Sequence, residues 1–376
     1  MESQSTLNLD NFIKTLKSIN PSFSKDEFNI PLRDTCIDSL DLVIIRVELE
    51  KIICETIPDF LWYGFNTIKE IYDYSKDQNV IIRDKKELNL NARITRKTSI
   101  NMPQMSNSAL SENWLLKELG DIHWELLSDG IKMQSSNIFD EQNERLYATF
   151  TRIKFKCVPL SSFNENETIE FIGQMNRYGN NTFLSQMTCG SNPIVLSATL
   201  MTNFTKRHNR QNNFLQKSTP KIKEYGIPAI KHLPNFLNEY RLHSKNLTED
   251  YALFDEEFSL ERKNIYEVTY NLNPFYEING VGLLYFSSYP VISDFCLIEY
   301  FNQIPALEDF VINYFTISRD IFYYANCEYK DLLKVRLNSY KSFKDGKLKM
   351  FTSLIRDKDN KLMADIFTIK QKIINK

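Results

Sequence analysis

Apolar positions recur at steps of three and four along residues 39–53, where Leu42, Ile45, Leu49 and Ile52 form one series and Leu40, Val43, Ile44 and Val47 a second. That period predicts a helix starting at Ser39. Two later stretches, SENWLLKELGDIHWELL at 111–127 and VGLLYFSSYPVISDFCLIEYF at 281–301, also predict helices. The second is the most apolar part of the chain, yet Pro290, Asp294 and Glu299 interrupt it, so it predicts a buried helix and not a membrane span. Past about residue 100 the pattern changes to alternation rich in β-branched and aromatic residues. Strands are predicted at 145–158, 167–178, 181–189, 194–205, 264–273, 319–329, 332–343, 348–357 and 362–372. A helix followed by several strands occurs twice, which predicts an α+β architecture of two similar units, each a curled antiparallel sheet wrapping a central helix. Residues 79–98, NVIIRDKKELNLNARITRKT, are polar and lack proline and glycine. They predict a boundary near residue 85, with a small all-α domain over 1–82, a linker over 83–98 and the β-rich region over 99–376.

Composition narrows the class. A chain of 376 residues with 42% hydrophobic and 25% charged residues has the make-up of an ordinary soluble protein of two to three domains. The net charge of −2 hides an asymmetry: residues 1–79 carry 8 Lys+Arg against 14 Asp+Glu, and the remainder 38 against 34. The start, MESQSTLNLDNF, shows no basic segment leading into an apolar core, so no signal peptide is expected. Six scattered cysteines without a CxxC pair, and only four histidines, predict free thiols in a reducing cytoplasm and argue against zinc. Ten glycines leave little room for a phosphate-binding loop. No basic run with interleaved aromatics points to nucleic acid, and neither nucleic acid nor membrane is expected as a partner.

Ser39 has two readings on its residues. It can cap the helix, its hydroxyl accepting a bond from a first-turn amide, or it can be an exposed attachment point where helix amides and dipole favour a phosphate. DSLD at 38–41, VELEKI at 47–52, ETIPDF at 55–60 and NTIKEIYDYS at 66–75 together resemble the acyl carrier protein family over roughly residues 5 to 78, although Ile37 stands where many members have glycine. The resemblance implies a four-helix-type carrier fold with 4'-phosphopantetheine on Ser39, attached by a phosphopantetheinyl transferase. It also implies an acidic helix face, here Asp38, Asp41, Glu48, Glu50 and Glu55, that partner enzymes read.

NMPQM at 101–105, LSENWLLKELGDIHW at 110–124, RLYATFTRIKF at 145–155 and NPFYEINGVGLLYFSSYPVISD at 273–294 resemble the double hot-dog proteins related to the bifunctional acyltransferase/decarboxylase of leinamycin-type polyketide pathways. The likeness spans roughly residues 95 to 375. It implies an enzyme of polyketide assembly that takes a malonyl- or methylmalonyl-type thioester from CoA, decarboxylates it and delivers the acyl group to the carrier, with polyketide synthase enzymes as partners. By motif order it also implies Tyr147 as the acyl-accepting residue.

Chemistry adds candidates and keeps alternatives open. An enolate needs hydrogen-bond donors in a water-poor pocket. Asn279, Gly280 and Gly282 of NGVG, placed at the predicted helix start, either admit the substrate close to helix amides or only make a tight turn. Ser111, Glu112 and Asn113 open the earlier helix and suit a cap. Tyr147 needs neighbouring donors or a cation to act as a nucleophile; otherwise it is a core aromatic. His123, with Asp121 and Glu125 beside it in sequence, suits acid/base work, but its place late in the helix suits a structural hydrogen bond. His208, His232 and His243 receive no role. The rival functions are a hot-dog thioesterase or dehydratase acting on carrier-bound chains, and a non-catalytic carrier scaffold.

Overall fold

The computed structural model describes residues 9–53, 57, 59–77, 92–190, 193–208, 211–222, 225–304 and 313–372. The chain divides into two units. The first comprises residues 1–89 with the short segments 178–180 and 229–234, and the second takes the rest from residue 90.

Four helices are described in the first unit: α1 (Leu9–Ile19), α2 (Ser39–Ile53), α3 (Asp59–Trp62) and α4 (Ile68–Asp77). Phe12, Ile13 and Leu16 of α1, Ile44, Ile45 and Leu49 of α2, and Ile68 and Ile71 of α4 are buried, so the apolar steps read from the sequence do form the core. Arg46 is buried in α2, where Glu50 accepts from its Nε at 2.9 Å and Asp59 lies 2.7 Å from its Nη2.

The second unit contains, in chain order, β1 (Arg93–Ser99), the short pair β2 (Met105–Ser106) and β3 (Ala109–Leu110), α5 (Glu112–Ile131), β4 (Tyr147–Cys157), β5 (Thr168–Tyr178), β6 (Thr182–Cys189), β7 (Leu196–His208) and β8 (Gln211–Lys217). There follow α6 (Asn235–Ser244), the hairpin β9 (Asp250–Leu253) and β10 (Glu256–Ser259), β11 (Tyr266–Asn271), α7 (Pro274–Glu277), α8 (Ser288–Asn302), β12 (Tyr314–Tyr323), β13 (Leu332–Ser342), β14 (Lys347–Arg356) and β15 (Lys361–Lys372). One antiparallel sheet runs β1-β5-β6-β7-β4-β12-β15-β14-β13-β11, with β8 added beside β7.

Outward from the central β4–β12 pair, one side reads β4, β7, β6, β5, β1 and the other β12, β15, β14, β13, β11. Both sides follow one chain order: first strand at the rim, then a helix, then the seam strand, then three strands that fill the gap. The repeat predicted from the sequence is thus a topological repeat, with α5 and α8 as the two central helices. Leu115, Leu116, Leu119 and Ile122 of α5 and Ile292, Cys296 and Leu297 of α8 join one hydrophobic core with the sheet.

Two expectations change. Residues 93–98, assigned to the linker, belong to β1, which pairs with β5 from Arg93↔Gln174 to Ser99↔Thr168. Only Ile94 supplies an apolar inward side chain, so composition hid the strand. The helix expected over 281–301 begins at Ser288; Pro290, which lacks an N–H, sits in its first turn, where no intrahelical donor is needed.

The second unit also buries charge at the seam. Arg152 and Asp320 are fully buried; Arg152 Nη2 donates to Asp320 Oδ2 at 2.7 Å, and Tyr251 of the β9–β10 hairpin donates to the same carboxylate. Arg152 also donates to Glu239 and to the Phe236 carbonyl of α6, each at 2.7 Å, so this pair fastens the inserted α6 and hairpin onto the sheet. Asp320→Asn leaves a buried guanidinium with the half-exposed Glu239 as its remaining carboxylate partner and is expected to cost about 3–5 kcal/mol. Denaturant unfolding of the full chain, followed by the far-UV signal of its β-structure, measures this; a loss below about 1 kcal/mol contradicts it.

Candidate functional site

A cavity of about 660 Å³ opens within the second unit where its two halves meet. α5 contributes Lys117, Gly120 and Asp121, β4 contributes Tyr147, and the second half contributes the 279–286 segment and residues 323–326. Gly120 makes room for the second half: a Cβ there would collide with Cζ of Phe286, whose ring centroid lies 4.4 Å from that of Phe150 with the two planes tilted by 46°.

Six tyrosines line the space, and their hydroxyls are not equivalent. Tyr240 donates to the Tyr323 carbonyl at 2.8 Å, Tyr323 to the Phe286 carbonyl at 3.0 Å, Tyr289 to the Ala325 carbonyl at 2.9 Å and Tyr324 to Asp365 at 3.4 Å. Those four protons are committed to the scaffold. The other two are Tyr147 and Tyr285. Tyr147 accepts from Arg207 Nη1 at 2.8 Å. The Tyr285 hydroxyl has no hydrogen-bond partner among the described residues, and Lys117 Nζ stands 5.2 Å from its ring centroid. Burial, with the Asp121 carboxylate adding to it, raises the Tyr285 hydroxyl above its ordinary range and keeps its proton in place. Two tyrosine O–H donors are therefore left to face a guest.

The lining is poor in bases. Among the described lining residues Asp121 is the one carboxylate, and no histidine or cysteine is present. Asp121 accepts from Arg96 Nη1 at 2.7 Å, and Glu125 also pairs with Arg96, so neither carboxylate serves His123.

His123 lies in the core and not on the cavity wall, a correction to the acid/base reading. Its Nδ1 meets Ser185 Oγ at 2.7 Å and its Nε2 meets Thr202 Oγ1 at 2.8 Å. Complete burial holds its pKa down to about 3. His243 is also buried, in α6, 3.1 Å from Asp365, while His232 is exposed; the His208 side chain lies outside the described residues.

NGVG is a turn that ends several residues before α8, which corrects its placement at the helix start. Asn279 Oδ1 accepts from the amides of Val281 at 3.1 Å and Leu283 at 3.0 Å, and the Gly282 amide donates to the Asn279 carbonyl at 2.8 Å. Asn326 accepts from Leu284 N at 2.9 Å, and the Glu277 carbonyl accepts from Tyr285 N at 2.7 Å. From 281 to 285 the amides are thus spent inside the turn, and only that of Gly280 makes no hydrogen bond among the described residues. Gly282 has φ +82°, where glycine avoids the Cβ penalty. At α5, Ser111 caps, accepting from Trp114 N at 3.4 Å. Glu112 turns to Arg319 and Thr316, and Asn113 accepts from Ser287.

In the first unit Ser39 is the first residue of α2, but the cap is Asp38, whose Oδ1 accepts from Leu40 N and Asp41 N, each at 2.8 Å. Ser39 is exposed and its hydroxyl has no hydrogen-bond partner among the described residues. The acidic face is smaller than expected. Asp41 is buried, accepting from Asn20 Nδ2 at 2.9 Å, and Glu50 binds Arg46, its pKa raised by burial despite that cation. Glu55 lies outside the described residues.

Tyr285 falls inside a stretch that the motif order marked, but nothing in the sequence separates it from the other tyrosines. Arg207 was not singled out at all, because its role depends on the β7–β8 pairing.

The His123 geometry carries a pH consequence. Its folded pKa lies below the ordinary histidine value, so the unfolded chain binds the extra proton between about pH 6.5 and 3. The associated stability is complete above about pH 6.5 and is lost as pH falls, at about 1.4 kcal/mol per pH unit. In His123→Gln, which keeps polar contacts without titrating, this component of the acid sensitivity is expected to vanish. Unfolding free energies at pH 7 and pH 5 test it; an unchanged pH slope in the variant contradicts it.

No family model and no curated protein matches the chain. Solved structures do match it. A protein assigned as an oleoyl thioesterase from Lactobacillus plantarum superposes with a TM-score of 0.53 at 8% identity, covering 75% of this chain and 96% of that one. The 12:0-ACP thioesterase from Umbellularia californica superposes with a TM-score of 0.51 at 11% identity, covering 75% and 95%. Among the described residues no helix is long and apolar enough to cross a membrane. At such identities the likeness is one of fold, and with the repeated helix-and-sheet topology it makes the second unit a hot-dog fold.

Proposed function

We propose that the hot-dog unit is an enzyme acting on acyl thioesters, bound in the 660 Å³ cavity. The observation that carries the proposal is the pair of uncommitted tyrosine hydroxyls, Tyr147 and Tyr285, in a wall whose other four tyrosines are committed to internal hydrogen bonds. Such donors stabilise negative charge developing on a thioester oxygen, and one of them is typically worth about 3 kcal/mol in the transition state.

Two reactions are consistent with that wall. Hydrolysis is favoured by the fold, since the neighbours named above are thioesterases; the thioester C–S bond breaks, water supplies the hydroxyl of the acid, and the thiol leaves with a proton. Transfer with decarboxylation is favoured by the lining. Water attack needs a general base, and the one carboxylate among the described lining residues, Asp121, is exposed and pairs with Arg96. Loss of carbon dioxide from a malonyl-type thioester needs no base: the C–C bond breaks, its electron pair becomes the enolate, and a proton restores the thioester. The acyl group then passes to an acceptor thiol as the CoA thiol departs. Ser39 suits a carrier role because its hydroxyl is exposed at a helix start and is not the cap. A 4'-phosphopantetheine arm there supplies the acceptor thiol.

Two measurements follow. A phosphopantetheinyl transferase with CoA is expected to modify wild type once and Ser39→Ala not at all, by intact mass; modification persisting in the variant removes the carrier role. Incubating the arm-bearing protein with acetyl-, malonyl- and methylmalonyl-CoA is expected to consume thioester, with Tyr147→Phe slower by about a hundredfold, roughly 2.7 kcal/mol. Free acid as the product supports hydrolysis, whereas mass gained on Ser39 with loss of carbon dioxide supports transfer. Stable thioesters with all three substrates leave a non-catalytic scaffold.

A further inference from the structure

We infer that Arg207 is a positioning residue which fixes Tyr147 as a hydrogen-bond donor into the cavity, so that Tyr147 polarises a bound thioester carbonyl and does not itself carry the acyl group. The inference rests on the acyl-thioester reading and specifies the role of one residue within it.

The direction of the Arg207–Tyr147 bond is unambiguous. A guanidinium has donors and no acceptor, so at 2.8 Å the phenol oxygen receives from Nη1, and its own O–H is left to donate to another group. The ring is held as well: the Arg207 guanidinium lies 4.7 Å from its centroid, and Arg145 stands 5.3 Å from it. Among the described residues no group is placed to accept the Tyr147 proton. The Arg207 cation meets one condition for a nucleophilic phenol, but such a phenol must also lose its proton to a base as its oxygen attacks, and that base is what the site lacks among the described residues. A donor needs only a carbonyl in front of it, and a phenol that accepts from a guanidinium is a stronger donor because the two bonds polarise each other.

Arg207 is itself tightly held. Its Nε donates to Asn212 Oδ1 at 2.6 Å, and its Nη2 donates to the Val281 carbonyl. Asn212 can turn only that oxygen toward Arg207, because its amide nitrogen is engaged by the Gly282 carbonyl at 2.6 Å and by Glu328 at 3.2 Å, while Glu328 also accepts from the Asn212 backbone at 2.7 Å. The β7–β8 hairpin thereby clamps the 279–282 turn of the other half, and the charge reaching Tyr147 is not cancelled by a carboxylate on Arg207. The pattern couples cavity closure to the orientation of a single hydroxyl.

The test uses the full-length protein and the ketone analogue of acetyl-CoA in which a methylene replaces sulfur, labelled with carbon-13 at the carbonyl. Bound to wild type, the carbonyl resonance is expected downfield of the free analogue. The displacement is expected to vanish in Tyr147→Phe, to shrink in Arg207→Gln and to recover in part in Arg207→Lys, which also serves if the glutamine variant does not fold. With a turned-over thioester, Arg207→Gln is expected to lower kcat about tenfold, the size of one charge-assisted hydrogen bond, with KM changed less than about twofold. A bound analogue with no displacement, a displacement unaffected by Tyr147→Phe, or an acyl ester found on Tyr147 after rapid quenching and peptide mapping overturns the inference while leaving the acyl-thioester reading in place. Failure of wild type to bind the analogue overturns that reading, and the inference with it.

Discussion

The buried guanidinium of Arg319 is the tie on which the arrangement of the second unit depends. It sits on β12, the seam strand of the second half, and its Nη2 donates to Glu112 of α5 at 3.0 Å and to Asp294 of α8 at 3.0 Å. One charge thus holds both central helices against the strand that joins the halves. Burial alone would raise the Asp294 carboxyl, but Arg319 and Lys370 outweigh it and hold it below the usual carboxylate range. A guanidinium without water is tolerable only with such partners, and removing one partner costs far more than an exposed ion pair is worth. The helices therefore cannot slide independently, and their facing ends define the cavity.

With the helices pinned, the cavity becomes a consequence of how two copies of one topology meet. Each half alone is a sheet curled on a helix, with its core filled by aliphatic and aromatic side chains. The β4–β12 pairing joins the sheets from Ser318↔Lys156 to Phe322↔Arg152, and the cavity left between the halves is walled in part by aromatic residues of both. The halves have diverged where they face each other. Arg152 and Asp320 come from the two seam strands and neutralise each other, so the seam prefers these two unlike halves over two copies of either.

The long periodic segments were legible in the sequence, and the reasons are visible in the packing. Every predicted strand of six or more alternating residues corresponds to an observed one, because one face of each meets the core. β1 was missed because Arg96 and Thr98 take the inward positions that apolar residues normally fill; Arg96 reaches α5 carboxylates there. α6 and the β9–β10 hairpin carry no long period and are held by the Arg152 cluster, a contact between residues up to 168 positions apart. At the candidate site the limit is of the same kind. Tyr147 and the NGVG turn were marked by motif order, yet the state of their hydrogen bonds follows from partners such as Arg207 and Asn326 that no local pattern announces. His123 shows the converse. Its sequence neighbours are acidic, but its neighbours in space are Ser185 and Thr202.

What distinguishes this cavity is therefore how its polar groups are spent more than which residues it contains. Lining composition alone would offer six tyrosines, two asparagines near a glycine turn and a carboxylate as equal candidates. Most of these are already spent: four tyrosines are committed to carbonyl or carboxylate acceptors and both asparagines satisfy backbone amides, while Asp121 is exposed and paired with Arg96. A buried polar group already paired offers a guest little, since using it means breaking a bond of comparable worth. Chemistry must then be assembled from the hydroxyls of Tyr147, Tyr285 and Ser135, the Gly280 amide and the nearby cations. That set is electrophilic throughout, suited to drawing electron density onto a carbonyl oxygen and poorly suited to removing a proton from water.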